Sequence, residues 1–403
     1  MLSWLSLAVF AAAALGLAAC AAQLLAARAH FRARRPAASS FAPPISVLKP
    51  LCGADDDLAA NIESFADLDY PDYEVLLGVA DPRDPALAVA RAAAARRPDR
   101  FRVVLQRGAP GLNRKVNQLV SLAAEARGAI LVVSDSNVRV ARNYLRETAA
   151  LLADPRAGLV THPIAGAGGR SAGAAMDNLQ LAAGVSTGMI AAQRLGGHDI
   201  VVGKSMGLRR SDVGALGGFA SLKDVLAEDY VLGRRVGAEL GKRVVVASTP
   251  IVNVCRERSV RDFAARFARW GVIQRTAVGR GVYSLQLLLH PLPLALLGAA
   301  LAPGFASVGA VAAVALSKAL LDGAAARLLA AAAGDAESAA VAAPRRLALV
   351  AIKDLALFGA FAYGFFRSTV EWRGARLRVT AGTRLVPLAS IEVGASPAPA
   401  AAR

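Results

Sequence analysis

The sequence predicts an α/β domain of βαβ units around a mostly parallel sheet, with transmembrane helices on its N-terminal and C-terminal sides. Three observations carry that prediction. The 403 residues are 55% hydrophobic and only 19% charged, and the mean hydropathy of +0.43 is too high for an ordinary water-soluble globule. Apolar runs of about 20 residues, long enough to cross hydrocarbon, stand near the start of the chain and again after Arg280. Between them, short β-branched runs alternate with helical stretches, the pattern of a parallel sheet. The apolar content excludes intrinsic disorder. A stretch of about 230 residues with its own core argues against a transporter built wholly of spans.

Residues 2–27 are almost wholly Leu, Ala, Val and Phe and are followed at once by Arg28, Arg32, Arg34 and Arg35. Positive charge after the apolar run marks a membrane anchor with its C-terminal flank inside, whereas a cleaved signal peptide carries it before. The division expected is residues 1–35 as anchor and basic flank, 42–280 as the α/β domain, 281–366 as a C-terminal membrane region and 367–403 as a basic cytosolic tail with a disordered end. Strands are expected at 45–48, 73–79, 101–105, 129–134, 159–162 and 243–247, with helices such as 85–96 between them. Membrane segments are expected at 283–301, 305–321 and 347–366. The Ala-rich stretch from Asp322 to Arg346 carries Arg327, Asp335 and Glu337 and reads as an interfacial helix or loop. Four full spans would put both termini outside, yet the tail holds Arg367, Arg373, Arg376, Arg378 and Arg384, which belong inside; one C-terminal segment is therefore expected to re-enter or lie flat. Residues 395–403, rich in Ala and Pro, read as disordered. Cys20, Cys52 and Cys255 form no CxxC pair, so neither a disulfide framework nor a zinc site is indicated.

In open parallel sheets ligands bind beyond the carboxyl ends of the strands, so the residues there are the candidates. Asp81 follows the strand ending at Val79, and Asp135 follows Leu131-Val132-Val133-Ser134, with Ser136 and Asn137 next. A nucleotide diphosphate calls for a hard cation with oxygen ligands, and Asp135 is the candidate for Mg²⁺ or Mn²⁺. Asn113-Arg114-Lys115 bring two cations to a helix start, a natural phosphate position. Ala227-Glu228-Asp229-Tyr230 offers paired carboxylates, one of them a candidate general base. Arg266, Arg269 and Trp270 share one helical face, where guanidinium groups can neutralise pyrophosphate and the indole can pack against substrate or membrane. Each has a plainer reading: a turn Asp, helix caps, a solvated basic surface, or a basic juxtamembrane helix on anionic lipid.

The set as a whole resembles the ceramide glucosyltransferase family, glycosyltransferase family 21 within the family 2-like GT-A enzymes, including the bacterial hopanoid-biosynthesis glycosyltransferases. The likeness runs from about residue 45 to 275 and rests on Leu48-Lys49-Pro50-Leu51, the run from Asp67 to Leu77, the Asp135 strand, Gly203-Lys204-Ser205-Met206, Ala227-Glu228-Asp229-Tyr230 and Arg266 to Trp270; Glu371-Trp372-Arg373-Gly374 in the tail is similar as well. The resemblance implies a GT-A fold, Rossmann-like with a mostly parallel sheet. It implies Asp81 at the nucleotide, Asp135 at metal and diphosphate, Asp229 as catalytic base, and Lys115 at phosphate. Arg266, Arg269 and Trp270 match the family's (Q/R)xxRW motif at pyrophosphate and acceptor. Two departures are Asp135-Ser136-Asn137 in place of DxD and Thr187 where the animal ceramide enzymes carry His.

The function this implies is inverting transfer of one sugar from a nucleotide sugar, UDP-linked, to a hydroxyl of a membrane lipid, hopanoid or ceramide-like. The enzyme is expected in a bacterial inner membrane, its catalytic domain facing the cytoplasm. A processive polysaccharide synthase and a non-enzymatic lipid-binding scaffold are the alternatives. The formal charge of +17, from 47 Lys and Arg against 30 Asp and Glu, suits anionic lipids and phosphorylated substrates. The Arg clusters flank membrane segments without a recognition motif, so nucleic acid is not an expected partner.

Overall fold

The computed structural model describes residues 2–33, 40–334, 343–372 and 375–388. Arg34, Arg35, Asp335, Glu337, Arg373, Gly374 and residues 395–403 lie outside them. The strands are β1 (Ile45–Leu51), β2 (Tyr73–Val79), β3 (Phe101–Leu105), β4 (Ile130–Ser134), β5 (Val138–Arg139), β6 (Ala157–Thr161), β7 (Ile164–Gly168), β8 (Ser205–Arg209), β9 (Arg243–Val246), β10 (Ile251–Cys255), β11 (Thr369–Trp372), β12 (Ala375–Val379) and β13 (Leu385–Pro387). The helices are α1 (Leu2–Arg32), α2 (Leu58–Glu63), α3 (Ala86–Arg96), α4 (Arg114–Glu125), α5 (Tyr144–Leu152), α6 (Ala172–Gln180), α7 (Thr187–Gly196), α8 (Arg210–Ala215), α9 (Glu228–Leu240), α10 (Val260–Leu285), α11 (Pro291–Leu301), α12 (Phe305–Ala333) and α13 (Ala343–Phe366).

A seven-stranded sheet in the order β3-β2-β1-β4-β8-β6-β9 forms the centre. The β1–β2, β1–β4, β2–β3 and β6–β9 pairs are parallel, and β8 alone runs against its neighbours β4 and β6. Each strand expected from the sequence is present within two or three residues, and β8, spelled Ser-Met-Gly-Leu-Arg, is an additional strand of this sheet. β2 and β4 are buried along their whole length, as strands covered on both faces must be. One face packs Val47, Val75, Leu77 and Val132 beneath α2, α3 and α5; the other packs Leu48, Leu76, Leu131 and Val133 against Val116, Leu119 and Leu122 of α4. A second sheet, β5-β10-β7, extends the domain towards the membrane helices.

Among the described residues three helices, Ser3–Arg32, Phe305–Ala333 and Leu347–Phe366, are long and apolar enough to cross a membrane. The segment expected as a span at 283–301 is instead part of a bent pair, Val260–Leu289 with Pro291–Leu301, turning by 76°. Such a broken or re-entrant segment was expected somewhere in this region, and Pro291, at the start of α11, marks the break. A second break lies at Gly279, where φ is +82°, a value favouring glycine. The interfacial segment expected from Asp322 is corrected: α12 continues unbroken to Ala333 and carries Asp322 and Arg327 with it. Asp322 is tolerated because Lys318 and Lys353 ion-pair with it. α10 and α13 cross at Gly271 and Gly364, where a Cβ on Gly364 would stand 2.5 Å from the Gly271 carbonyl carbon; small residues allow such close helix approach.

The tail is also more than a basic extension. β11, β12 and β13 form an antiparallel sheet that packs Val370, Leu377, Val379 and Leu385 on Leu226 and Val272. It is pinned to the domain by Leu226 N–H donating to Thr383 O at 2.9 Å and Leu385 N–H donating to Asp224 O at 2.8 Å.

Candidate active site

The parallel register sets Leu48 opposite both Leu76 and Val133, so β2 and β4 end on the same edge. Strand order reverses direction between β1 and β4, the crevice where open α/β sheets bind ligands. Asp135 emerges there directly after β4. Asn113 starts α4 by accepting the Val116 N–H at 3.1 Å, a side-chain cap that fixes Lys115 in the first turn, facing the crevice.

Lys115 is the hub of the site. Its Nζ lies 2.9 Å from Asp135 Oδ1 and 3.0 Å from Glu228 Oε1, and it donates to Gly203 O at 2.9 Å. Burial disfavours its charge, but Asp135, Glu228 and Asp229 outweigh burial and hold the ammonium above its ordinary value. Asp135 is the converse. Burial opposes ionisation, yet Lys115, Lys204 and Lys49 keep the carboxyl well below the usual carboxylate range. Lys204 Nζ stands 3.5 Å from Asp135 Oδ2 and donates to Asn137 Oδ1 at 2.9 Å. Lys49, buried in β1, donates to Asp135 O at 2.6 Å; burial pulls it down to about 7.

Glu228 and Asp229 open α9, where carboxylates are favoured by the helix dipole. Asp229 accepts the Gly203 N–H at 2.6 Å and the Tyr230 N–H at 2.8 Å. Burial, reinforced by the neighbouring Glu228 charge, raises its carboxyl to about 6. Gly203 has no room for a side chain, since a Cβ there would stand 2.7 Å from Asp229 Oδ2. A carboxyl poised this close to neutrality can hold or take a proton, the property required of a general base.

On α10, Arg266 pairs through one Nη with both carboxylate oxygens of Asp177, at 2.9 and 2.8 Å, and its guanidinium lies 5.2 Å from the Trp270 ring. Asp177 is fully buried, so Arg266 arrives at the site held in place and partly neutralised. Phe267 stacks edge-on against Trp270 at 5.3 Å.

Asp81, Lys115, Asp135, Asp229, Arg266, Arg269 and Trp270 line one cavity of about 1370 Å³, so every site residue expected from the sequence is brought together. They are not equivalent. Asp81 sits at the exposed mouth in an ion pair with Arg83 at 3.3 Å, and a hydrogen bond from the Arg83 backbone N–H keeps its carboxyl below the ordinary value. Lys204, Glu228 and Asp177 went unassigned. Lys204 lies in a run marked only by its family likeness, Glu228 is the second carboxylate of the acidic pair, and nothing local marks Asp177 in α6 as the partner of an arginine almost 90 residues later.

Among the described residues no group of three or more His, Cys, Asp or Glu side chains is placed to hold a metal ion. The local donors are Asp135, Asn137 and Ser136, which donates to Asp55. One carboxylate with neutral oxygens fits Mg²⁺ or Mn²⁺ when substrate phosphates complete the shell.

Residues 8–385 match glycosyl transferase family 21. The chain is 28% identical over 237 residues to ceramide glucosyltransferase 3 of Caenorhabditis elegans, covering 57% of this chain and 50% of that protein. It is 25% identical over 232 residues to ceramide glucosyltransferase 1 of the same organism, covering 57% and 49%. The matched region thus spans about half the length of these relatives. In structure the chain is similar to the mannosyltransferase PcManGT from Pyrobaculum calidifontis, solved in complex with GDP-Man and Mn²⁺, at a TM-score of 0.52, 19% identity and coverage of 91% of this chain and 99% of that one. At that identity the likeness is one of fold.

Proposed function

The chain belongs to glycosyl transferase family 21, and from that premise we propose that it is a membrane-bound glycosyltransferase moving one sugar from a nucleoside diphosphate sugar, UDP-linked, to a hydroxyl of a membrane lipid. The observation that carries the reading is the continuity of the cavity. It joins the Lys115–Asp135 crevice of the GT-A sheet to Asp229 and then passes between α1, α10, α12 and α13.

The donor diphosphate lies at the β4 edge, its charge met by Lys115, Lys204 and the α10 arginines Arg266 and Arg269; Asp81 faces the nucleoside end. A divalent cation held by Asp135 with the diphosphate oxygens would further stabilise the leaving group. The bond from the anomeric carbon to the diphosphate oxygen breaks as the acceptor oxygen bonds to that carbon from the opposite face. Asp229 takes the hydroxyl proton, and the nucleoside diphosphate leaves with the bonding pair. One displacement inverts the anomeric centre. Holding both partners in line supplies proximity, and the ammonium groups are in place before charge develops.

The names of the relatives, ceramide glucosyltransferases, support a ceramide-like acceptor; a hopanoid is the second candidate. Arg28 and Arg32 at the end of α1, with Arg376 and Arg378 of β12 and Arg384 just before β13, lie on the catalytic side and support a cytoplasmic domain at a bacterial inner membrane. The test is incubation of membranes containing the full chain with labelled UDP-sugars and candidate lipids, followed by mass analysis. A glycolipid bearing one sugar supports the reading; labelled sugar recovered only in water-soluble products overturns it.

A further inference from the structure

Beyond Asp229 the cavity continues among the membrane helices, where Gln23, Gln180, Lys318, Lys353 and Asp354 join its lining. Lys353 Nζ lies 2.7 Å from Asp354 Oδ1 and 3.0 Å from Asp322 Oδ2, and it donates to Gln180 Oε1 at 3.3 Å. Lys318 pairs with Asp322 and stands 3.8 Å from Asp354 Oδ1. Lys318, Asp322, Lys353 and Asp354 are 6%, 3%, 1% and 2% exposed.

Ionisable groups at membrane depth are costly and, where they persist, face a bundle interior or a cavity. Tying α12 to α13 would need only one matched pair, yet this cluster holds two lysines and two aspartates. It also leaves two buried carboxylate oxygens, Asp322 Oδ2 and Asp354 Oδ2, without a hydrogen-bond partner among the described residues, and of these Asp322 Oδ2 still has the Lys353 ammonium at 3.0 Å. Buried acceptors are normally satisfied, and of the two residues Asp354 belongs to the cavity wall. The cluster is neutral as a whole, and the open position is a carboxylate oxygen, so the matching guest supplies an O–H or N–H and carries no negative charge. Leu289, Leu357 and Phe361 line the cavity nearby, as an acyl or polycyclic tail requires.

We propose that Lys353, Asp354 and Gln180 form a second polar subsite inside the membrane region, which binds a neutral lipid through a hydrogen-bond donor lying deeper than the hydroxyl presented to Asp229. The inference rests on the transfer reading above and narrows its acceptor to a lipid with two polar groups, one to react and one to anchor.

Binding to the detergent-solubilised full chain tests it without turnover. With UDP present, a short-chain ceramide, which has an amide N–H and a second hydroxyl, should bind at least tenfold more tightly than a short-chain diacylglycerol, which has one hydroxyl, or a phosphatidic acid. The double variant Lys353→Leu with Asp354→Leu removes one matched pair and leaves Lys318 with Asp322. It should lose at least tenfold in ceramide affinity while binding UDP normally. Gln180→Leu leaves all four charges in place and should weaken ceramide binding in the same direction; it decides the matter should the double variant lose UDP binding through misfolding. Equal ceramide affinity in wild type and Gln180→Leu, no preference for ceramide over diacylglycerol, or preference for phosphatidic acid overturns the subsite. Failure of the transfer reading is separate: the wild-type chain would then neither bind UDP nor glycosylate any lipid.

Discussion

The backbone N–H of Gly203 donates to Asp229 Oδ2 at 2.6 Å. The Gly203 carbonyl meanwhile accepts from Lys115, so a single residue orients both the proposed base and the proposed diphosphate cation. Gly203→Ala should therefore displace the Asp229 carboxylate, because the new Cβ would stand 2.7 Å from Oδ2. A fall in kcat of at least tenfold with UDP affinity retained is expected from titration and rate measurements on the same preparation.

Asp229→Asn should fold, bind UDP-sugar and lose transfer by about 10²–10⁴-fold, the range for removing a general base. Its stability relative to wild type should rise with pH, on top of a pH-independent cost of setting an amide NH2 against the Gly203 or Tyr230 N–H. The folded carboxyl sits near 6 against an ordinary 3.8, so ionising it costs the folded state on the order of 3 kcal/mol. For a raised carboxyl, stability is complete below the unfolded value and is lost as pH rises through the folded one. The Tm of Asp229→Asn measured against that of wild type should thus climb between about pH 4 and 6 and level off by about pH 7.5.

The acid limb of kcat/KM should have its midpoint near 6, where Asp229 ionises. Glu228→Gln removes a like charge that raises this value and should move the limb to lower pH. Lys115→Met removes an opposite charge that lowers it and should move the limb higher, besides slowing the reaction. Shifts of the same sign in both variants would disconnect the limb from Asp229.

Chelation should abolish transfer and Mn²⁺ or Mg²⁺ should restore it, with Asp135→Asn weakening the response to metal. Full turnover in chelator would assign charge neutralisation to Lys115 and Lys204 without a metal.

Removing the chain after Ser368 takes away the tail sheet and the Thr383 and Leu385 backbone contacts to the segment preceding Glu228. The truncated protein should still bind UDP and should lose kcat more than it loses donor affinity, since the sheet braces the loop leading to Asp229 without lining the donor crevice.

The sheet was legible because β2 and β4 are largely apolar runs, each followed within two residues by an aspartate. β8 was not, because a strand spelled Ser-Met-Gly-Leu-Arg has too little apolar periodicity to stand out. The site residues on strand ends and helix starts could be read in place, whereas Asp177 and the Lys318–Asp322–Lys353–Asp354 cluster could not. The partner of Asp177 is on another helix, and Lys318–Asp322 and Lys353–Asp354, each a pair within its own helix, look like surface charges until α12 and α13 bring them together. The charges of Arg327, Asp335 and Glu337 argue for an interfacial stretch after Asp322, whereas Asp322 paired with Lys318 and Lys353 sits within α12, which runs on to Ala333.

The most direct test of the account is the mass of the product formed from labelled UDP-sugar by membranes carrying the full chain, compared with membranes carrying Asp229→Asn. A lipid heavier by one sugar, with inverted linkage, present in wild type and absent in the variant, is the predicted result. A ladder of sugars, or the same glycolipid at near-normal yield from Asp229→Asn, would contradict it.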